Sequence, residues 1–398
     1  MNVDKPIKVL LVASYYPPEH TGAGLRSHRT FTRIKEKYPV ETLVLTKNRQ
    51  SSTDQFENYE GMQVLRIKTG NTLLQYIYNI GRTFYKYNLK SYDIVYCGGD
   101  VHMHIAAGIW AKMFSQPFFI EVVKNKVEDT KDFITQIKSV INFLRFRYLR
   151  EKLQRSCNLS IALNTHIKEY YRRIGVPDEK IWVRPNPVDT RNFNLPTQEQ
   201  RKRARIEYGI NGDKYVHLLI GAIKARKNQL FAVKYLKALP KHHAMVIAGP
   251  VSDKIYFEEL KKFIRDNRLY RQVLLLTGFR NDVKLLYHAS DVLVVPSLAE
   301  GTPNVMLEAL CCGLPVLINN SLGLDEYIQH SHNGYSAHLS VDEFVSGSLV
   351  CEKTLNEYSK RYKIAKDSGQ KYGHEIIDKQ LYKYLRTVNN DNGSYTVV

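Results

Sequence analysis

Asp291-Val-Leu-Val-Val-Pro-Ser-Leu-Ala-Glu300-Gly301-Thr302-Pro303-Asn304-Val-Met-Leu-Glu308-Ala-Leu-Cys-Cys-Gly313-Leu-Pro315 reads as strand, loop, helix and stop. Thr302 carries the hydroxyl an N-cap needs, Pro303 suits the first helical position, and Gly313 with Pro315 closes the helix about three turns on. Such a unit aims a helix N-terminus out of the carboxyl edge of a sheet. Ligands of open α/β sheets bind at that edge, where free amides and the positive dipole end suit a phosphate. Glu300 stands in the loop and Glu308 within the helix. Carboxylates accept hydrogen bonds from vicinal hydroxyls, so the pair can hold a sugar on one side and a ribose on the other. A surface loop with a solvated glutamate has the same spacing.

The alternation extends both ways from this segment. Upstream, β-rich runs at Ile7 to Ala13, Val40 to Leu45, Met62 to Ile67, Ile94 to Tyr96, Phe118 to Val123 and Leu159 to Leu163 are separated by helical stretches. The pattern restarts at Val216 to Ile220 and recurs at Met245 to Ala248, Val273 to Leu276, Val292 to Val295 and Val316 to Ile318. This is the signature of two mostly parallel α/β domains. Pro185, Pro187 and Pro196 sit among polar residues between them and suit a connection. The expected organisation is an N-terminal Rossmann-like domain over 1–185, a linker over 186–200, a second Rossmann-like domain over 201–355, a helical segment over 356–388 and a tail over 389–398.

With 398 residues, 43% hydrophobic and 24% charged, the chain has enough material for two ordinary cores. No stretch approaches the ~20 apolar residues of a membrane span, and the residues before the first strand do not form a signal peptide, so the expected location is the cytoplasm. Five scattered cysteines without a Cys-x-x-Cys pair argue against a disulfide framework and a zinc site. The net charge of +19, spread over both halves, favours polyanions: nucleic acid, anionic lipid or phosphorylated small molecules. Two segments mix apolar and basic residues at helical spacing, Ile134 to Arg155 and Tyr76 to Tyr92, the latter with Arg82, Lys86 and Lys90. Either fits an anionic membrane surface or an ordinary packed helix.

Three further segments carry chemistry-bearing residues. Gly221-Ala-Ile-Lys224-Ala-Arg226-Lys227-Asn228 follows a strand and gathers three cations. Ser14-Tyr-Tyr-Pro-Pro-Glu-His-Thr-Gly22-Ala-Gly24 follows the first strand, where glycine lets backbone come close to a phosphate. His102 and His104 follow the strand ending at Tyr96 and the Gly98-Gly99 turn.

The Asp291 to Pro315 segment resembles the Glu-x7-Glu signature of the family 4 retaining glycosyltransferases, down to its Glu-Gly opening and Gly-Leu-Pro-Val ending. The resemblance implies the α/β GT-B fold, two Rossmann-like domains with a deep interdomain cleft. It implies that Glu300 contacts the donor sugar, that Glu308 binds the nucleotide ribose, and that Gly301, Thr302, Pro303 and Asn304 meet the donor phosphates and sugar. Arg226 and Lys227, with Lys224, resemble the cations that clamp the pyrophosphate. Ala222 stands where many relatives carry arginine, which leaves Lys224 and Arg226 both open as the partner of Lys227. Gly22 and Gly24 match the glycine-bearing loop of the family's first domain, His102 lies near a histidine that relatives turn to the reaction centre, and Asn186-Pro-Val-Asp189 resembles the hinge.

By the same resemblance the expected reaction is hexosyl transfer with retention, with no agreed protein nucleophile. The donor is a UDP-sugar or a GDP-sugar, and the acceptor a glycan or lipid-linked glycan of cell-surface polysaccharide synthesis. The expected location is the cytoplasm or the inner face of the plasma membrane. The chain has no Asp-x-Asp pair, the divalent-ion motif of other glycosyltransferases, so no metal or cofactor is expected, and nucleic acid is not an expected partner. Two alternatives stand beside this: a nucleotide-sugar epimerase of the same fold, and a non-catalytic basic protein that binds nucleic acid or membrane.

Overall fold

The computed structural model describes residues 5–18, 22–48, 53–98, 101–122, 147–324 and 326–390. The chain divides into two compact units, 1–185 with 377–398, and 186–376.

In the first unit the strands are β1 (Ile7–Ala13), β2 (Val40–Lys47), β3 (Gln55–Tyr59), β4 (Met62–Ile67), β5 (Ile94–Gly98), β6 (Phe118–Val122), β7 (Leu159–Ala162) and β8 (Ile181–Val183). They form one sheet in the order β3-β4-β2-β1-β5-β6-β7-β8, parallel except for the β3–β4 hairpin. A parallel sheet has helices on both faces, so its central strands must be apolar on both. Val9, Leu10, Leu11, Val12 and Ala13 are accordingly all fully buried. Leu10 and Val12 pack with Ile80 and Phe84 of the helix Leu73–Lys86, whereas Val9, Leu11 and Ala13 pack with Phe31 and Ile34 on the other face.

The second unit repeats the plan with β9 (Tyr215–Ile220), β10 (His243–Gly249), β11 (Val273–Thr277), β12 (Val292–Val295), β13 (Val316–Asn319) and β14 (Gly334–Ala337). The order is β11-β10-β9-β12-β13-β14, parallel throughout. Val216 and Leu218 face Met306, Leu307 and Leu310, while Tyr215 and Leu219 face Ala232, Leu236 and Phe344.

The expected linker and the expected C-terminal helical segment both take defined structure. The span 186–200 is not a free connection. The Val188 amide donates to the Tyr372 carbonyl at 2.8 Å, Phe193 stacks edge-on against Tyr287, and from Thr197 a capping box with Gln200 starts the helix Gln198–Glu207. The segment 356–388 is two helices, Tyr358–Tyr372 and His374–Asn390, because the backbone of Val188 pairs across Gly373 and interrupts the turn. The first stays with the second unit; Leu381, Tyr384, Leu385 and Val388 of the other enter the core of the first unit. Gly22 and Gly24, expected in a loop, lie in the first turn of the helix Gly22–Lys37. Of the segment Ile134 to Arg155, positions 134–146 lie outside the described residues, as does Gly99. All five cysteines are free and buried, and burial pushes their thiols up, as expected of reduced core residues. Among the described residues no helix is long and apolar enough to cross a membrane.

The first core holds a charge cluster. Glu121, at the carboxyl end of β6, lies 2.6 Å from Arg26 and 3.2 Å from Arg184, and accepts a short hydrogen bond from the Tyr96 hydroxyl. Burial opposes its ionisation, but Arg26, Arg184 and Tyr96 outweigh burial and hold the carboxyl below its usual range. A depressed folded-state pKa contributes stability that is present above the unfolded value of about 4.3 and is lost as pH falls through the folded value. Glu121→Gln strands two buried guanidinium groups. The substitution is expected to lower the unfolding free energy at pH 7 by about 3 kcal/mol and to flatten the loss of stability below about pH 4 in urea titrations; an unchanged midpoint refutes the role.

Candidate active site

The site is built where β9, β10 and β12 of the second unit end. Gly249, at φ +149°, closes β10 against β9 so tightly that a Cβ there would sit 2.2 Å from the Gly221 carbonyl oxygen. Gly221 in turn leaves open the place taken by the Lys227 side chain, whose Cε and Nζ lie 3.1 and 3.3 Å from where a Cβ would stand. Past Gly221 the chain makes a 3₁₀ turn, Ala225–Lys227, and Asn228 adopts the left-handed region at φ 57° before the helix Gln229–Lys237.

Two hydrogen bonds tie this turn to the loop after β12. The Leu298 amide donates to the Arg226 carbonyl at 2.9 Å, and Asn228 Nδ2 donates to the Pro296 carbonyl at 3.2 Å. They bring the cations to Glu300. Lys227 Nζ lies 2.6 Å from Oε1 and Arg226 Nη1 3.4 Å from Oε2, while Arg226 also donates to the Ala299 carbonyl. Burial opposes the charge on Glu300, but Lys227, a hydrogen bond from Ser297 and Arg226 prevail, so its carboxyl is held below the usual range. It is ionised at neutral pH. Lys224 is half-buried at the start of the turn and takes no part in the ion pairs found among the described residues. Arg226 is therefore the cation grouped with Lys227.

The helix Asn304–Cys311 starts one residue later than its sequence suggests. Pro303, at φ −71° and ψ 125°, occupies the cap, so Asn304 is the first helical residue and Thr302 is not the N-cap. Thr302 is engaged elsewhere: it is buried, its hydroxyl bonds Tyr327, and its carbonyl accepts from Asn186 Nδ2 at 3.0 Å. The same Asn186 amide reaches Asn304 Oδ1 at 2.7 Å, which makes the hinge residue a brace for the loop. Gly301 is half-buried, Pro303 buried and Asn304 exposed. Glu308, half-buried one turn into the helix, accepts from the Tyr287 hydroxyl at 2.8 Å. Gly313 ends the helix at φ +71°, where a Cβ would meet the Arg361 carbonyl oxygen at 2.5 Å.

Asn186 and Tyr287 are the residues sequence reading misses as part of the site. Tyr287 sits in an unremarkable helix, and only tertiary packing brings it to Glu308. In the first unit, His102 lies half-buried in the first turn of the helix Val101–Met113, its ring 5.4 Å from that of Tyr76. His104 is buried in the same helix. Gly24 is buried, and Gly22 begins its helix.

Two cations, an ionised carboxylate and a helix N-terminus at one sheet edge can bind a phosphorylated sugar. Comparisons with known proteins agree. Residues 200–363 match the family model described as Glycosyl transferases group 1. The chain is 29% identical over 281 residues to the UDP-Gal:alpha-D-GlcNAc-diphosphoundecaprenol alpha-1,3-galactosyltransferase of Escherichia coli, covering 68% of this chain and 70% of that one. It is 23% identical over 393 residues to an uncharacterized glycosyltransferase of Methanocaldococcus jannaschii, covering 94% and 96%. Among solved structures, Anabaena HepE in complex with UDP matches with a TM-score of 0.76 at 17% identity over 96% of this chain and 100% of that one. These matches decide against the epimerase and the non-catalytic binder. The chain is a glycosyltransferase of the GT-B fold.

Proposed function

We propose that this glycosyltransferase works with retention and without a metal ion, passing a hexosyl group from a UDP-sugar to a glycan or lipid-linked glycan acceptor in cell-surface polysaccharide synthesis. The observation that carries this reading is the contact of Lys227 and Arg226 with the ionised Glu300. Glu300 faces the hydroxyls of the donor sugar and Glu308 those of the ribose, the latter held in place by Tyr287. Lys227 and Arg226, helped by the amides that open the helix at Asn304, neutralise the charge that builds on the diphosphate as its bond to the sugar breaks. The acceptor oxygen bonds to the anomeric carbon on the face the diphosphate leaves, and the acceptor proton passes to a leaving phosphate oxygen. The paired cations do the work a divalent ion does elsewhere. Lys224 completes the donor contacts of this unit.

A UDP donor is favoured by two relatives: the Escherichia coli enzyme's name specifies UDP-Gal, and HepE is solved with UDP-glucose. The same enzyme's name specifies a diphosphoundecaprenol acceptor, which favours a lipid-linked one here. The helix Leu73–Lys86 presents Leu74, Tyr78 and Tyr85 to solvent, 78%, 70% and 60% exposed, beside the exposed Arg82 and Lys86. Apolar side chains flanked by cations suit an anionic bilayer, the place of such an acceptor on the inner face of the plasma membrane.

Three outcomes are expected. In EDTA, UDP at ~100 times its dissociation constant adds about 2.7 kcal/mol to the wild type and nothing to Glu308→Ala, with GDP and ADP inert, as read by thermal unfolding. Equal stabilisation of the variant removes the ribose role. Lys227→Ala lowers kcat/KM by about 10²- to 10³-fold while leaving thermal unfolding within about 1 kcal/mol of wild type; a full rate without Lys227 refutes the clamp. Leu74→Glu with Tyr78→Glu abolishes sedimentation with phosphatidylserine vesicles but not UDP binding; unchanged sedimentation excludes this helix as the docking face.

A further inference from the structure

β10 ends at the donor site, and its other end carries a side-chain cluster with no part in the reaction. His242 and His243 stand where β10 begins, and Glu352 projects to them from the helix Val341–Leu355. His242 Nε2 lies 2.9 Å from Glu352 Oε1, and His243 Nε2 3.4 Å from Oε2. One ligand atom from each of the three residues falls within 4.8 Å of the others. Ligands bound ~2.0–2.1 Å from a tetrahedral ion stand roughly 3.4 Å apart, so the observed spacing needs little adjustment to surround one.

A second feature lies behind the cluster. His243 is fully buried, and its Nδ1 is 3.0 Å from Nε2 of the equally buried His217, whose own Nδ1 is 2.8 Å from the Tyr235 hydroxyl. When His243 donates its Nδ1 proton to His217, and His217 its own to Tyr235, His243 turns the lone pair of Nε2 toward Glu352. That nitrogen is buried and makes no hydrogen bond. A lone pair facing a carboxylate is a repulsive pairing unless a cation lies between them. Metal-ligating histidines commonly donate the other ring proton to a neighbouring acceptor, which fixes the tautomer and the ring orientation. His217 is placed to be that acceptor, with Ser348 Oγ a further 3.4 Å neighbour of its Nε2.

We propose that His242, His243 and Glu352 bind a divalent transition-metal ion, Zn²⁺ before all others, which clips the helix Val341–Leu355 to the start of β10. Two imidazoles and one carboxylate favour a borderline ion over Mg²⁺ or Ca²⁺, which take oxygen ligands. The half-exposed His242 and part-exposed Glu352 open the site to solvent and leave a fourth position for water. The helix it clips buries Phe344, Cys351 and Leu355 in the core beneath β9 and β10. The cluster and Gly249 stand at opposite ends of the seven-residue strand β10, with roughly 3.3 Å per residue, so the ion acts on stability and not on sugar transfer. The proposal does not depend on the donor or acceptor.

The test titrates tag-free protein, stripped with EDTA, with Zn²⁺ and Co²⁺ in a calorimeter and follows Co²⁺ by its visible absorption and Zn²⁺ by thermal unfolding. His242→Ala and Glu352→Gln, both at solvent-accessible positions, serve as variants. The expected result is one ion per chain, the intense visible bands of low-coordinate Co²⁺, a rise in Tm with Zn²⁺ and none with Mg²⁺, and affinity weakened by about tenfold or more in each variant. Absence of uptake by the wild type overturns the proposal. So does uptake of equal affinity in both variants, which places the ion on other groups.

Discussion

A parallel strand has to be covered by helices on both faces, and this constraint shapes everything else in the molecule. It makes β1 and β9 apolar on both sides and sends every βα loop out of one edge of each sheet. In the second unit that edge gathers the turn after β9 and the loop after β12, two segments about seventy residues apart in sequence. The Leu298 backbone amide and the Asn228 side-chain amide then lock them together by donating across the corner. The Gly221 and Gly249 approach tightens the same corner, because a Cβ at Gly249 would strike the Gly221 carbonyl and one at Gly221 would crowd the Lys227 side chain.

Each unit holds a buried carboxylate between two cations, with opposite consequences. Glu121 is sealed in the first core with Arg26 and Arg184, where the pairing offsets desolvation and holds strands and helix in register. Glu300 meets Lys227 and Arg226 near the surface, and Arg226 is 44% exposed. Such cations are oriented in advance and remain accessible, so a diphosphate can take up their charge without the loop having to rearrange. The same pairing of residue types is structural where water is excluded and available for binding where it is not.

Much of this was legible beforehand. Apolar runs identified the long central strands, since a strand buried on both faces has no other composition open to it. β3, β8 and β14 went unread for different reasons: Gln55–Tyr59 is a polar edge strand that pairs only through its hairpin, while Ile181–Val183 and Gly334–Ala337 are too short for a period to show. The Thr302 cap failed because its side chain found Tyr327 and its carbonyl found Asn186, contacts that lie far away in sequence.

The sequence by itself determined the two α/β units, the loop holding Glu300, the helix holding Glu308 and the cationic turn, because each depends on local pattern and spacing. Tertiary structure alone decided that Arg226 rather than Lys224 joins Lys227 at Glu300, that Tyr287 holds Glu308, and that His217 stands behind His243. It also decided that the helix His374–Asn390 lends its apolar face to the first core. Those outcomes rest on contacts between residues from about twenty to several hundred positions apart, and their distances follow from sheet order and packing, which no local pattern of residues encodes.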